Sequence, residues 1–188
     1  MEIWLHQGVL FLHLAAFAIA FSAVLREDLF LLRARAIDPY RLALTARTLT
    51  AALTVLWLTG LGLMAFDIGL DPHALLASPK ASAKVVVVAA LTANGIALHA
   101  LAFPILRGGA GAPDRAVDRA DATVPVILGA VSTASWLQAS FIGVSRLVAP
   151  AMSFSDYMAL YGLLVTGTVA GALVFVRPRV ERLLTAAR

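Results

Sequence analysis

Five stretches of the sequence contain no Asp, Glu, Lys or Arg, and each is long enough to cross a lipid bilayer. A hydrocarbon core about 30 Å thick needs roughly 20 helical residues, and in lipid only helices or closed barrels satisfy every backbone polar group. The strict alternation of barrel strands is absent, so we predict an all-α bundle of five transmembrane helices. The predicted spans cover residues 3–25, 48–66, 85–106, 122–145 and 157–176.

The composition indicates a single integral membrane domain over residues 1–188. Hydrophobic residues make up 61% of the chain and the mean hydropathy is +0.88, which leaves too little polar surface to cover a soluble core. The first span begins at Ile3 without the basic segment of a signal peptide, so we interpret it as a retained span. The sequence contains no Cys, which excludes disulfides, thiolate metal sites and iron–sulfur clusters.

The basic residues are distributed unevenly between the two sides of the predicted bundle. All but three of the 15 Lys and Arg residues lie in the segments after spans one and three and in the C-terminal tail, and the other side carries only Lys80, Lys84 and Arg146. The positive-inside rule therefore predicts an outer N-terminus and a cytoplasmic C-terminus in a bacterial inner membrane. We assign the basic residues to contacts with membrane lipids rather than to nucleic acid.

Local signals predict where the helices of the first hairpin begin and end. Asp38-Pro39 is typical of an N-cap followed by the first helical residue, so helix two is expected to begin there. No helix breaker follows Leu25, and helix one is therefore expected to continue to about Arg35.

Three further segments set the organisation of the rest of the chain. Asp71-Pro72 predicts a short outer helix that ends at Ala77, and Ser78-Pro79 predicts the start of helix three. Residues 108–113 have the composition of a flexible linker.

Small residues on the predicted spans indicate where helices approach one another closely. Span five contains Gly162, Gly167 and Gly171, and span two contains Gly60 and Gly62. We expect such faces to pack mainly within the bundle. The alternative is an oligomer or a complex subunit that associates through Gly167 and Gly171.

Histidines in the spans are the main candidates for chemistry. His6 and His13 are seven residues apart and therefore share a helical face, and His99 lies in span three. Ionisable groups at membrane depth are functional-site candidates, and neutral imidazole is a common axial ligand of haem. Helical rise places His13 about 15 Å and His99 about 21 Å below the outer surface, so helix tilt would have to close a gap of roughly 6 Å for both to reach one ligand.

Alternative interpretations of these histidines remain open at this point. A transmembrane His can simply bind a neighbouring helix, and Ser, Thr, Asn94 and Gln138 are available partners. A copper or zinc site on the outer face is a further candidate, because His6 lies near the outer segment. Its predicted ligands are His6, His73, Asp67 and Asp71.

Two other charged groups have two interpretations each. Lys84, at the start of span three, either extends to the headgroups or holds a carboxylate or haem propionate. Arg26-Glu27-Asp28, at the inner end of span one, is either a set of internally paired interfacial charges or an entrance for a charged group or a proton.

Several short motifs carry a family resemblance over about residues 5–106. They are Leu12-His13, Thr59-Gly60-Leu61-Gly62, Ser78-Pro79 and Ala83-Lys84-Val85-Val86. In these motifs the chain resembles the small bacterial membrane proteins grouped around the HemJ-type protoporphyrinogen oxidase and the membrane domain of the copper-resistance protein CopD. The resemblance implies haem binding, with His13 in the place of the family's first-helix His and Lys84 in the place of its Lys.

The function expected from the sequence is that of an inner-membrane redox protein that binds haem b. It would transfer electrons or oxidise a membrane-accessible substrate, with a quinone or another membrane redox protein as its partner. His13 would be the principal axial ligand, and His99 its partner or a nearby proton donor. His6 with His73 could alternatively hold a second haem or a metal near the outer surface. The alternatives are a cofactor-free accessory subunit, a small permease, and the outer-face copper or zinc protein.

Overall fold

The computed structural model describes residues 1–108 and 119–186, and these residues form helices without any strand. A π-helical turn, Leu98–Ala102, joins α4 to α5, and a 3-10 turn, Ala149–Ala151, precedes α7. The α-helices are α1 (Glu2–Arg33), α2 (Pro39–Ile68), α3 (Pro72–Ala77), α4 (Pro79–Ala97), α5 (Phe103–Gly108), α6 (Arg119–Val144), α7 (Phe154–Phe175) and α8 (Arg177–Ala186).

The described residues contain five helical segments with the length and apolar composition of a membrane span. This confirms the prediction of an all-helical chain with five such segments. The π turn does not interrupt the third of them. The segments are Glu2–Arg33, Pro39–Ile68, Pro79–Leu106, Asp121–Val144 and Phe154–Phe175.

The predicted helix starts are confirmed by side-chain caps. Asp38 accepts hydrogen bonds from the backbone N–H groups of Tyr40 and Arg41 at the start of α2. Asp71 and Ser78 cap α3 and α4 in the same way, which satisfies donors that have no partner inside the helix. The first helix ends at Arg33, two residues before the predicted end. Residues 109–113 of the predicted linker lie outside the described residues.

The helices form two antiparallel hairpins with α4 between them. The first consists of α1 and α2, and the second of α6 and α7, while α8 packs on α6 and α7. Short connections produce this arrangement, because a tight turn returns the chain beside the helix it has just left. We call the end that carries α8 and the α1–α2 turn the α8 end, and the opposite end, which carries α3, the α3 end.

The middle of the bundle is sealed by an apolar layer. Ala20 is 0% exposed, and it belongs to one buried cluster with Ala16, Leu56, Leu91 and Trp136. Phe17 packs its ring against Trp136, with centroids 5.5 Å apart. The layer therefore joins α1, α2, α4 and α6 at the depth where polar groups would be most costly.

The glycines of α7 do not make the internal contacts expected of them. A Cβ added to Gly162, Gly167 or Gly171 would have no atom of another helix within 4 Å, whereas Gly60 lies against the His13 ring. The second hairpin instead closes through polar and aromatic side chains on a different face of α7. Tyr161 Oη lies 2.7 Å from Ser135 Oγ, and Gln138 donates to the Tyr157 carbonyl at 2.9 Å.

Candidate functional site

A cavity of about 310 Å³ opens at the α8 end between α1, α2, α6, α7 and the π turn. We call it the α8-end cavity. Its walls are mainly aliphatic, and a volume in this range is typical of a small-ligand pocket. The polar residues of its lining are Glu27, Asp28, Thr45, Ser132, Thr133 and Thr168.

Interruptions of regular helix help to form this space. Leu98 and Ala102 of the π turn line it, and the turn lies immediately before Pro104, which has no N–H to donate within the helix. Pro125 interrupts the hydrogen bonding of α6 and also lines the cavity. Gly129 adds room, because no atom lies within 4 Å of the position that its Cβ would occupy. Such π turns in helices frequently occur at functional sites.

Glu27 is the most constrained polar group of the cavity wall. It is 9% exposed, although it is a charged residue within a long apolar helix. Its Oε2 accepts a hydrogen bond from Thr45 Oγ1 at 3.0 Å. Its Oε1 is buried and has no hydrogen-bond partner in the described part of the chain. A buried carboxylate oxygen in this state is costly for the folded protein, so it identifies a place where a ligand donor would be stabilised.

Arg41 is the counter-ion of Glu27, but the pair is loose. Arg41 Nε lies 3.4 Å from Glu27 Oε2, longer than the separation of about 2.7–2.9 Å that is usual for N⁺–H···O⁻ bonds. The guanidinium carbon of Arg41 lies 3.5 Å from the centre of the Phe30 ring. Arg41 therefore has a second stabilising contact, with an aromatic face, that does not depend on Glu27.

Asp28 contributes a second carboxylate to the same cavity. Thr133 Oγ1 on α6 donates to Asp28 Oδ2 at 2.6 Å and connects the two hairpins of the bundle. Glu27 and Asp28 are the only ionisable residues in the lining as far as the described residues show. Of the charged group Arg26-Glu27-Asp28, Glu27 and Asp28 therefore line the cavity, whereas Arg26 is exposed outside the lining.

Polar groups also occur at the α3 end, and the apolar layer separates them from the cavity. His6, His13, Ala20 and Glu27 follow one another at seven-residue intervals along the α2-facing side of α1. His6 contacts Asp67 at 3.3 Å, and His13 contacts Thr59 at 2.8 Å. The fully buried Ala20 interrupts this series. The chain thus has a polar group at each end and an apolar barrier between them.

The two histidines expected to share a ligand lie apart. His13 Nδ1 bonds Thr59 Oγ1 at 2.8 Å, and His99 Nε2 lies 3.4 Å from Thr50 Oγ1. Thr50 and Thr59 are nine residues apart on α2, which corresponds to about 13.5 Å along the helix axis. The offset is about twice the value expected from the sequence, and His99 is on the exposed surface of the bundle. The geometry does not bring these imidazoles together around one iron.

The partners expected for the histidines are used elsewhere. Asn94 donates to the Leu128 carbonyl, and Gln138 to the Tyr157 carbonyl, so both amides join α6 to a neighbour. His13 and His99 contact threonines of α2 instead. The sequence offered no means of choosing among so many hydroxyl side chains.

Only one pair of the predicted outer-face metal ligands is in contact. His6 reaches Asp67, while the Asp71 carboxylate accepts the backbone N–H of His73 and caps α3. The described residues contain no group of three or more His, Cys, Asp or Glu side chains placed to hold a metal ion. Lys84 is exposed, and its charge is within electrostatic range of both His13 and Asp67.

His13 keeps one property of a haem ligand. Its Nδ1 is held by Thr59, which would leave Nε2 to bind a metal. The α8-end cavity, in contrast, has no His in its lining among the described residues. The cavity and His13 are therefore separate candidate sites.

No protein-family model, curated protein or solved structure matches this chain. The relationship to the HemJ and CopD group accordingly remains a prediction from the sequence motifs.

The sequence pattern did not indicate the cavity itself. Glu27 and Asp28 stood out as charges at the end of a span, but Thr45, Thr133 and Gly129 carried no signal that distinguished them from other small residues. Pro104 and Pro125 were the available signals, because a proline inside a span disturbs the helix around it.

Proposed function

We propose that this protein is a small membrane permease and that the α8-end cavity is its substrate site. The observation that carries the proposal is an apolar cavity, lined in part by a π turn and an internal proline, with an unpartnered carboxylate oxygen in its wall. A molecule that fits must be compact and mainly apolar, and it must offer at least one hydrogen-bond donor.

The arrangement of the bundle supports transport over simple storage of a ligand. Irregular helical backbone at membrane depth is tolerated where it lines a cavity, and transporters commonly place their sites at such breaks. The apolar layer around Ala20 lies between the cavity and the α3 end. In the proposed cycle, the apolar layer opens toward the α3 end while the mouth of the cavity closes at the α8 end.

The distribution of charge gives the proposed orientation. With the α8 end in the cytoplasm, the arginines of the α1–α2 turn and of α8 lie beside anionic headgroups. The α8-end cavity then faces the cytoplasm, and its substrate enters from that side or from the inner leaflet. The protein is accordingly proposed to be a multi-pass inner-membrane protein.

Binding of a compact probe tests the proposal. The probes are 1-adamantanol, which is neutral, and 1-aminoadamantane, which is cationic, and binding is measured calorimetrically with the full chain in mild detergent. Gly129→Leu places a side chain in the cavity and should abolish binding of both probes. Gly143→Leu is the matched control, because Gly143 is on the same helix, also has open space at its Cβ position, and lies outside the lining.

Two results would contradict the permease proposal. One is the absence of binding by either probe to the unmodified protein. The other is equal binding by the Gly129→Leu and Gly143→Leu variants, which would locate the probes elsewhere in the protein or detergent.

A haem-binding redox protein is the second candidate, and the geometry of His13 favours it. Thr59 fixes the ring through Nδ1, and Gly60 packs against the ring. Bound haem would supply the electron-transfer chemistry, while the chain would supply His13 as ligand and Lys84 as a cation near it. Absorption spectra of the purified protein before and after reduction test this candidate. A Soret band lost in His13→Ala supports it, and a protein that stays colourless after haem is supplied removes it.

A further inference from the structure

We infer that the substrate of the α8-end cavity is a protonated amine with a compact apolar body, and that Glu27 binds its ammonium group. This inference rests on the proposed function, because it names the chemical class of the molecule bound in the same cavity. It differs from that proposal in requiring a positive charge on the ligand.

The orphan oxygen of Glu27 is the first argument. The Glu27 side chain is only 12% exposed and lines the cavity, and its Oε1 is buried without a partner among the described residues. An ammonium group carries three donors and no acceptor. One N–H directed at Oε1 would satisfy the atom that the chain leaves unpaired, and a charge-assisted bond of this kind is stronger than a neutral one.

The charge balance of the site is the second argument. Glu27 and Asp28 are both in the lining, whereas Arg41, which forms an ion pair with Glu27, lies outside it. Thr133 donates to Asp28 and carries no charge. The ionised site therefore has an excess of negative charge, and low-dielectric walls strengthen its attraction for a cation. An anionic ligand would be repelled by the same two carboxylates.

Arg41 is the internal competitor of the ligand. Its bond to Glu27 is long, and its guanidinium already lies over the Phe30 ring. Arrival of an ammonium group at Glu27 can therefore weaken the Arg41 bond while Arg41 keeps its aromatic contact. The affinity for the ligand then depends on how much more strongly Glu27 binds the ammonium group of the ligand than it binds the Arg41 guanidinium.

The shape of the cavity defines the remainder of the ligand. Leu42, Leu98, Val126 and Val176 provide an aliphatic surface, and the volume of about 310 Å³ admits a body of limited size. Alkylamines stay protonated at pH 7, because an amine like that of Lys has a pKa of about 10. A compact primary amine thus combines the charge and the apolar surface that the site requires.

Comparison of 1-aminoadamantane with 1-adamantanol tests the charge requirement, because the two probes have the same cage and differ in the polar group. The unmodified protein in mild detergent at pH 7 should bind the amine about tenfold or more tightly, as expected for a charge-assisted bond. Glu27→Gln keeps the size of the side chain and removes its charge. This variant should reduce the ratio of the affinity for the amine to the affinity for the alcohol to about one. The binding of the alcohol should be nearly unchanged.

Arg41→Gln provides the opposing variant. Both substitutions break the same Glu27–Arg41 ion pair, so a purely structural role of Glu27 would weaken amine binding in both. Removal of the competitor should instead raise the amine preference above that of the unmodified protein. A loss of preference in Arg41→Gln, or equal binding of the two probes to the unmodified protein, would overturn the inference. In the second case, loss of alcohol binding in Gly129→Leu would still support the permease proposal.

The same ammonium chemistry occurs in free amines and in the phosphatidylethanolamine headgroup. Micelles supplemented with phosphatidylethanolamine or with phosphatidylglycerol distinguish these sources. If the lipid is the ligand, phosphatidylethanolamine should weaken amine binding to the unmodified protein, whereas phosphatidylglycerol should not. If a free amine is the ligand, the preference for the amine over the alcohol should be the same in micelles that contain either lipid.

Discussion

Arg41 Nε and Glu27 Oε2 lie 3.4 Å apart at the α8 end, and the other oxygen of the same carboxylate has no partner in the described residues. A buried ion pair contributes to stability only when its geometry is good and its remaining atoms are satisfied. This pair meets neither condition. We therefore interpret it as part of a binding site rather than as a means of stabilising the fold.

Arg41→Gln should destabilise the protein, because it leaves the buried Glu27 carboxylate without its counter-ion. We expect a loss of about 1–3 kcal/mol, since Arg41 is itself partly exposed. The double variant Glu27→Gln with Arg41→Gln should recover most of this loss, because it removes the buried charge as well. Thermal unfolding of the three proteins in the same detergent measures the effect. A double variant no more stable than Arg41→Gln would show that the buried carboxylate without its counter-ion is not the cause of the loss.

Tyr157 should be the most sensitive single position of the second hairpin. It is 0% exposed, and its Oη lies 3.3 Å from Ser145 Oγ. Tyr157→Ala removes a buried aromatic ring and should cost about 3–5 kcal/mol. Tyr157→Phe loses only one hydrogen bond and should cost about 1 kcal/mol. Unfolding temperatures of the two variants check this difference, and equal losses would mean that the hydroxyl, rather than the ring, supports the α6–α7 contact.

The open glycine face of α7 predicts association through Gly167 and Gly171. Gly167→Leu should leave the fold intact, because an added Cβ meets no atom of another helix within 4 Å, and it should convert an oligomer into a monomer. Gly162→Leu is the control, since Gly162 is equally open but lies outside this Gly-xxx-Gly pair. Light scattering of the detergent complexes measures their mass. An oligomer of unchanged mass in Gly167→Leu would exclude this face as its interface.

The predicted orientation can be measured with single cysteines, because the chain has none of its own. His73→Cys is at the α3 end and should react with a membrane-impermeant maleimide added to intact spheroplasts. Thr185→Cys is at the α8 end and should react only after the membrane is opened. The reverse pattern would invert the bundle, and the cavity would then face outward.

Much of the fold followed from the sequence, because a bilayer imposes simple length and polarity requirements on each span. Asp38, Asp71 and Ser78 cap their helices as predicted. Each cap depends only on a short polar side chain directly before a helix that begins with Pro, so the local sequence is sufficient to predict it. The packing of α7 was not predictable in this way. Gly167 and Gly171 have the spacing of a contact face, but Tyr157 and Tyr161 decide which side of α7 meets α6.

The candidate site was less predictable, because it depends on the relative depth of different helices. The spacing of His6 and His13 correctly indicated one face of α1, yet the partner of each histidine depends on α2. A small change in tilt decides whether His99 approaches His13, and sequence does not determine tilt. The orphan oxygen of Glu27 likewise depends on how α1 packs on α2, because Arg41 and Thr45 both contact the other oxygen of the carboxylate.

Photolabelling with an azi-adamantane probe tests the central claim most directly, because the carbene it forms reacts where the probe is bound. The full chain is irradiated in mild detergent, and the adducts are located by mass spectrometry. The permease account predicts adducts within residues 24–32 of α1, 125–133 of α6 and 168–176 at the end of α7, all lost in Gly129→Leu and retained in Gly143→Leu. Adducts spread along the exposed surface of α7, unchanged by Gly129→Leu, would contradict it.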